Sequence, residues 1–176
     1  MAEDLKVAVI TGQHGYDVPN FHRLFRAFPG IDAYVQNLED FVTADTGIRD
    51  QYDVLVFYNF HQATPTGEEQ GWQKGVKPGL EQLGQTAQGI VVLHHALLAY
   101  RQWPLWSEMV GIAERGFGYY HDQTLHVDVA DRRHPITVDL EPWDMVDETY
   151  TVNEPGEGNH ILLTTEHPKS MSNLAW

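Results

Sequence analysis

Three apolar runs in the first hundred residues each end on a histidine. "LKVAVI" leads into Gly12, Gln13 and His14, "YDVLVFYNF" carries Asn59 and leads into His61, and "GIVVL" leads into the doublet His94 and His95. A free imidazole titrates near pH 6.5, so it gives and takes protons at neutral pH, and its neutral form ligates metals. The chain holds ten histidines, and the plain reading of any single one is a surface or internally satisfied ring. Three at the ends of consecutive strands would converge on one sheet edge, which suits a metal site or a proton-transfer site. "MVDETY" adds the adjacent carboxylates of Asp147 and Glu148. On a strand, neighbours face opposite ways, so one can enter a site while the other meets solvent; two surface acids are the equal alternative. A histidine set with one carboxylate makes a zinc-like ligand set, although the long-range spacing here is not diagnostic. Trp103 and Trp143 could stack on a sugar face, against the commoner role of tryptophan in a core.

These side chains need a frame that brings strand ends together. Leu5–Ile10 is nearly continuously apolar, as in a strand buried on both faces of a parallel sheet. Asp17 can cap a following helix with Pro19 in its first turn, and Phe21, Leu24, Phe25 and Phe28 recur with helical spacing as one apolar face. "IDAYVQNL" and "YDVLVFYNF" read as strands, and "EDFVTADTGIRD" between them as a loop or short helix. "EEQGWQKGVKPGLEQLGQT" reads as helix in pieces; "GIVVL" is a fourth strand, followed by the helix "ALLAYRQWPLWSEMVG" with a break or kink at Pro104. Strand and helix alternate, which defines an α/β domain with a mainly parallel sheet. After Gly116, "QTLHVDV", "DETYTV" and "HILLTTE" read as short strands of an antiparallel or strand-rich extension. In such a sheet, ligands bind beyond the strand C-termini, which selects Gly12, Asn59 and His61 as substrate contacts. The glycines of "GQHG" lack phosphate-loop spacing and serve instead to turn the backbone tightly beside a ligand.

The composition narrows the chemistry. There is no cysteine, so thiol catalysis, thiolate metal sites and disulfides are excluded. The 11 basic and 25 acidic residues give a net charge of −14, which repels nucleic-acid phosphates and anionic membranes. No run is long enough to cross a bilayer and the start is not a signal peptide, so the expectation is a cytoplasmic protein.

"VAVITGQHGYD", "YDVLVFYN", "GIVVLHHAL", "HPIT", "VDETY" and the closing "LAW" together resemble the ThuA-like family, linked by name to trehalose utilisation. The resemblance spans nearly the whole chain. It implies a flavodoxin-like fold of the class I glutamine amidotransferase type, in which His94 stands at the turn where amidotransferases carry their cysteine. It matches His14 to the family's first-loop histidine, and Asp147, Glu148 and Tyr150 to its acidic pair with a tyrosine. His95 falls where the family is less particular, and is expected to pack or cap the following helix. Family chains continue past "AW" with a glycine-containing strand and a "GHD"-like motif. The expectation is therefore a single domain over 1–176 that lacks its C-terminal strand.

Residues and resemblance together predict an α/β, flavodoxin-like three-layer fold with a mainly parallel sheet and a strand-rich C-terminal part. They predict a carbohydrate-metabolism enzyme, a hydrolase or lyase acting on a sugar or keto-sugar by acid/base or metal-assisted hydrolysis or elimination. His94, Glu148 and His14 would be catalytic. Gly12, Asn59, His61, Tyr150 and Trp103 would bind substrate. A divalent metal such as zinc would sit on His14, His94 and Glu148, the partner would be a small carbohydrate, and the protein would form a homo-oligomer. The alternative is a non-catalytic sugar-binding or regulatory module on the same fold.

Overall fold

The computed structural model describes residues 3–176, which divide into two units, one up to Leu105 and the other Trp106–Trp176. In the first unit the apolar run becomes β1, Leu5–Gly12, with Val7 through Thr11 buried without interruption. β2 (Ile31–Asn37) and β3 (Val54–Asn59) pair with β1 on either side, and β4 (Gly89–Val92) pairs with β3. All three pairings are parallel, in the order β2-β1-β3-β4. A strand flanked on both edges and covered on both faces has no polar side to show, which is why β1 does not alternate.

Helix α1, Val18–Ala27, connects β1 to β2. Asp17 caps it, its carboxylate accepting from the Asn20 backbone N–H at 3.2 Å. Its buried face is narrower than the expected four-residue stripe. Phe21 and Phe25 pack against Val7, Val9 and Val56, whereas Leu24 and Phe28 are 48% and 44% exposed. Phe28 has left the helix for an extended cap conformation, so the 3.6-residue period no longer places it inward. The "EDFVTADTGIRD" segment folds as two short helices, α2 (Leu38–Thr43) and α3 (Thr46–Arg49). The glycine-rich stretch beyond β3 gives a 3₁₀ turn at Gly71–Gly75 and α4 at Val76–Leu80.

The long helix expected after β4 is replaced by two pieces. His94–Leu98 forms a 3₁₀ turn, and α5, Pro104–Val110, starts afresh. Pro104 therefore opens a helix rather than kinking one. Proline at the first helical position loses only an N–H that would have no intrahelical partner.

The second unit holds the strand-rich part. β5 (Gly118–Val129), β6 (Trp143–Thr151), β7 (Leu163–Thr164) and β8 (Asn173–Ala175) form an antiparallel sheet in the order β6-β5-β7-β8. Along β5, Leu125, Val127 and Val129 are buried and alternate with exposed His126 and Asp128, the pattern of a sheet with one covered face. A bulge between Tyr120 and Gln123 puts Asp122 at φ +53°. Among the described residues no helix is long and apolar enough to cross a membrane.

Candidate functional site

The strand order places the crevice. α1 carries the chain from β1 outward to β2, and β3 then returns to the other side of β1. The direction of build reverses between β1 and β3, and ligands bind beyond the C-terminal ends at such a reversal. Gly12 and Asn59 are register partners at that end, with the Phe60 N–H donating to the Gly12 carbonyl at 2.8 Å.

Gly12 has φ +139°, and a Cβ there would lie 2.8 Å from Cε1 of His61. A side chain is thus excluded at this turn by both backbone and neighbour. The His61 ring is stacked parallel to Tyr100 (centroids 6.2 Å apart, 10° between planes) and edge-on to Trp72 (6.1 Å, 78°). Fully buried Asn59 donates from Nδ2 to His61 Nδ1 at 3.2 Å and to the Tyr100 hydroxyl at 3.3 Å. Burial holds the His61 pKa down at about 4 and pushes the Tyr100 phenol up.

Beside this group sits the histidine cluster. His14 stacks on His95 with centroids 4.0 Å apart, and His94 meets His95 edge-on at 5.5 Å. His94 occupies the turn after β4 at φ +54°, a left-handed conformation uncommon outside glycine. His95 is almost wholly buried, and its Nε2–H donates to the Tyr58 carbonyl at 3.1 Å. Its other nitrogen, Nδ1, is buried with no partner, as is Oδ1 of Asn59. Each such orphan costs about 1–3 kcal/mol, a cost that functional sites tolerate. Burial first, then the charges of His14 and His94, hold the His95 pKa at about 4. His95 packs, as the sequence suggests, and does so inside the cluster.

A cleft of about 410 Å³ opens next to the cluster, lined by Gln13, Phe60, His61, Trp72, Gln73 and Tyr100 among others. Phe60 is shared: it lines the cleft and touches both His14 (5.7 Å) and His95 (5.6 Å). The cleft also exposes Glu69, whose oxygens accept from Thr66 N–H (2.6 Å), Thr66 Oγ1 (2.8 Å) and Gly67 N–H (2.9 Å). Those bonds hold the Glu69 carboxyl at a pKa of about 2. The cleft wall from Gln62 to Gln73 was not visible in the sequence. Its signal was the turn-rich run 62–67 directly after a core strand, the kind of loop that carries function.

The remaining residues expected at the site sit as follows. Trp103 is buried and packs edge-on against Tyr100 at 5.5 Å. Glu148 and Tyr150 belong to the second unit, on β6. There the Tyr150 hydroxyl donates to Glu148 Oε2, and His121 Nδ1 lies 3.2 Å from Oε1. Asp147 turns back on its own strand and accepts from the Glu148 N–H at 2.8 Å. Among the described residues no group of three or more His, Asp or Glu side chains is placed to hold a metal ion.

The fold has counterparts among solved structures. A ThuA-like protein from Bacteroides uniformis superposes with a TM-score of 0.71 at 18% identity, covering 99% of this chain and 74% of its own. A ThuA-like protein from Parabacteroides merdae gives 0.66 at 18% identity, covering 93% and 68%. At such identity the likeness concerns architecture, a flavodoxin-like α/β protein with a parallel sheet and a strand-rich C-terminal part. No curated protein matches the sequence. The model of the ThuA family, described as trehalose utilisation, matches residues 6–175, and the chain belongs to that family. The family's description connects it with carbohydrate metabolism.

Proposed function

We propose that the protein is an enzyme acting on a sugar or keto-sugar, bound beyond the C-terminal ends of β1, β3 and β4 and processed by proton transfer. The observation that carries this reading is the packed trio His14, His95 and His94 at the edge of the parallel sheet, next to a cleft of ligand size. Their contact gives one imidazole to take a proton and another to return one within a single edge of the sheet. In a keto-sugar the C–H beside the carbonyl is acidic. His94 takes that proton, the electron pair forms a double bond as the glycosidic C–O bond breaks, and the departing oxygen receives a proton from His14. Glu148, on β6 of the second unit, is tested by Glu148→Gln beside His94→Ala, and a divalent ion such as zinc by elemental analysis of the purified protein. The protein is read as cytoplasmic, and residues 1–176 as a single ThuA-like domain.

The test is turnover of 3-keto-glycosides by the protein and by His94→Ala. Loss of turnover with retained sugar affinity supports the assignment. Unchanged turnover refutes it, and affinity without turnover in the unaltered protein favours a binding module.

A further inference from the structure

We infer that His61 is a fixed hydrogen-bond donor, presenting Nε2–H to an oxygen of an uncharged sugar held in the cleft of the first unit. The inference deepens the carbohydrate reading and rests on it.

The argument begins with Asn59. Its amide nitrogen lies within hydrogen-bond distance of both His61 Nδ1 and the Tyr100 hydroxyl. An amide nitrogen only donates. His61 Nδ1 must therefore be the bare, accepting nitrogen, and in the neutral ring the proton sits on Nε2. Turning the amide over would leave its NH₂ buried and unpaired in place of its carbonyl. Buried carbonyls tolerate that better than N–H groups, so the amide stays as described. Asn59 is itself fully buried, on the last position of β3, and cannot drift away.

The ring is gripped on its other sides. Tyr100 stacks along it, Trp72 abuts it, and the bare backbone of Gly12 makes room for its Cε1 edge. Nε2 has no protein hydrogen-bond partner among the described residues. Burial keeps the ring from becoming imidazolium until about pH 4, so it meets a ligand as a neutral donor. A neutral imidazole N–H polarises a carbonyl or steadies a hydroxyl without giving up its proton.

The cleft wall selects the ligand class. At about 410 Å³ it lies within the range of small-ligand pockets, about 300–1,000 Å³. Gln13 and Gln73 offer amides that both donate and accept, as hydroxyls do, and Trp72 offers an apolar ring for the C–H face of a pyranose. No lysine or arginine lines it; Lys77 is nearby but its ammonium is engaged by the Thr66 carbonyl at 3.1 Å. The locked Glu69 carboxylate repels anions. A phosphorylated or acidic sugar would thus meet a lining that holds a carboxylate and no cation of its own.

The test is nuclear magnetic resonance on the protein labelled with ¹⁵N-histidine. Long-range ¹H–¹⁵N correlations show which nitrogen carries the proton, and His61→Gln, or His61→Asn if that variant folds better, assigns the signals. The expected result is a neutral Nε2–H ring at pH 6. Its signals shift on adding glucose or trehalose and stay put with glucose 6-phosphate. His61→Gln weakens the sugar's affinity about tenfold, the loss of one hydrogen bond. An Nδ1–H or protonated ring overturns the inference. So do His61 signals that ignore both neutral sugars, or that answer equally to the phosphate. Keto-glycoside turnover and its dependence on His94 are measured separately, so a failed reaction assignment and a failed donor assignment give different results.

Discussion

Gly12→Ala is the most direct probe of how the site is built. At φ +139° a residue with a Cβ is strained by about 1–3 kcal/mol wherever it points. Here the added methyl also meets His61 Cε1 at 2.8 Å. The ring cannot retreat freely, because Asn59 holds Nδ1 and Tyr100 lies along its face. Displacing it sacrifices that hydrogen bond, about 1 kcal/mol. The sum is about 2–4 kcal/mol, which lowers Tm by on the order of 6–12 °C in a chain of this size. Gly15→Ala, three residues on, is the control: no atom lies within 4 Å of its Cβ position, and the change should stay within about 0.5 kcal/mol. The assay is thermal unfolding of both variants beside the unaltered protein. If Gly12→Ala melts with Gly15→Ala, the close approach of glycine and imidazole is not a constraint and the account of the β1 turn is wrong.

Two further expectations follow from named groups. The folded His61 pKa of about 4 lies below the unfolded value near 6.5, so the unfolded chain takes up its proton first as pH falls. The stabilisation it contributes is complete above about pH 6.5 and is lost down to about pH 4. Denaturant titrations should show the stability difference from His61→Gln flat above that window and shrinking inside it; a difference that grows toward acid pH contradicts the buried neutral ring. Phe57→Ala empties a fully buried position in the middle of β3 and should cost about 3–5 kcal/mol in urea unfolding, with a loss below about 1.5 kcal/mol arguing against the packing described.

Much of the first unit is legible in sequence because its signals are local. Five consecutive buried residues in β1 demand a central strand, and Asp17 with Pro19 fixes the start of α1 within a residue. The same locality explains the misses. Leu24 satisfies the helical period, yet burial depends on what lies opposite, and nothing covers it. At Pro104 the sequence leaves a break and a kink open, and the bends and turn over residues 99–102 make it a break. β8 is three residues long and pairs only with β7, too short for periodicity to register. For the candidate site, the strand ends at Gly12, Asn59, His61 and His94 are legible, because a parallel sheet fixes where strands stop. Trp72 and Gln73 stand in the 3₁₀ turn Gly71–Gly75, where helical pieces are legible but the path that brings them to the strand ends is set by residues 60–70 and no local rule encodes it.

The two sheets also differ in when they can be completed as the chain is made. The parallel sheet takes all its strands from residues 5–92, and its centre, β1, is synthesised before the neighbours that flank it. It can therefore assemble from the middle outward, each new strand adding to an existing edge while later residues are still absent. The antiparallel sheet has the opposite logic: β5 waits through more than thirty residues for β7, and β7 waits for residues 173–175. A slow or interrupted synthesis would leave Asp128 and Val129 without their β7 partners long after the histidine edge of the first sheet has formed.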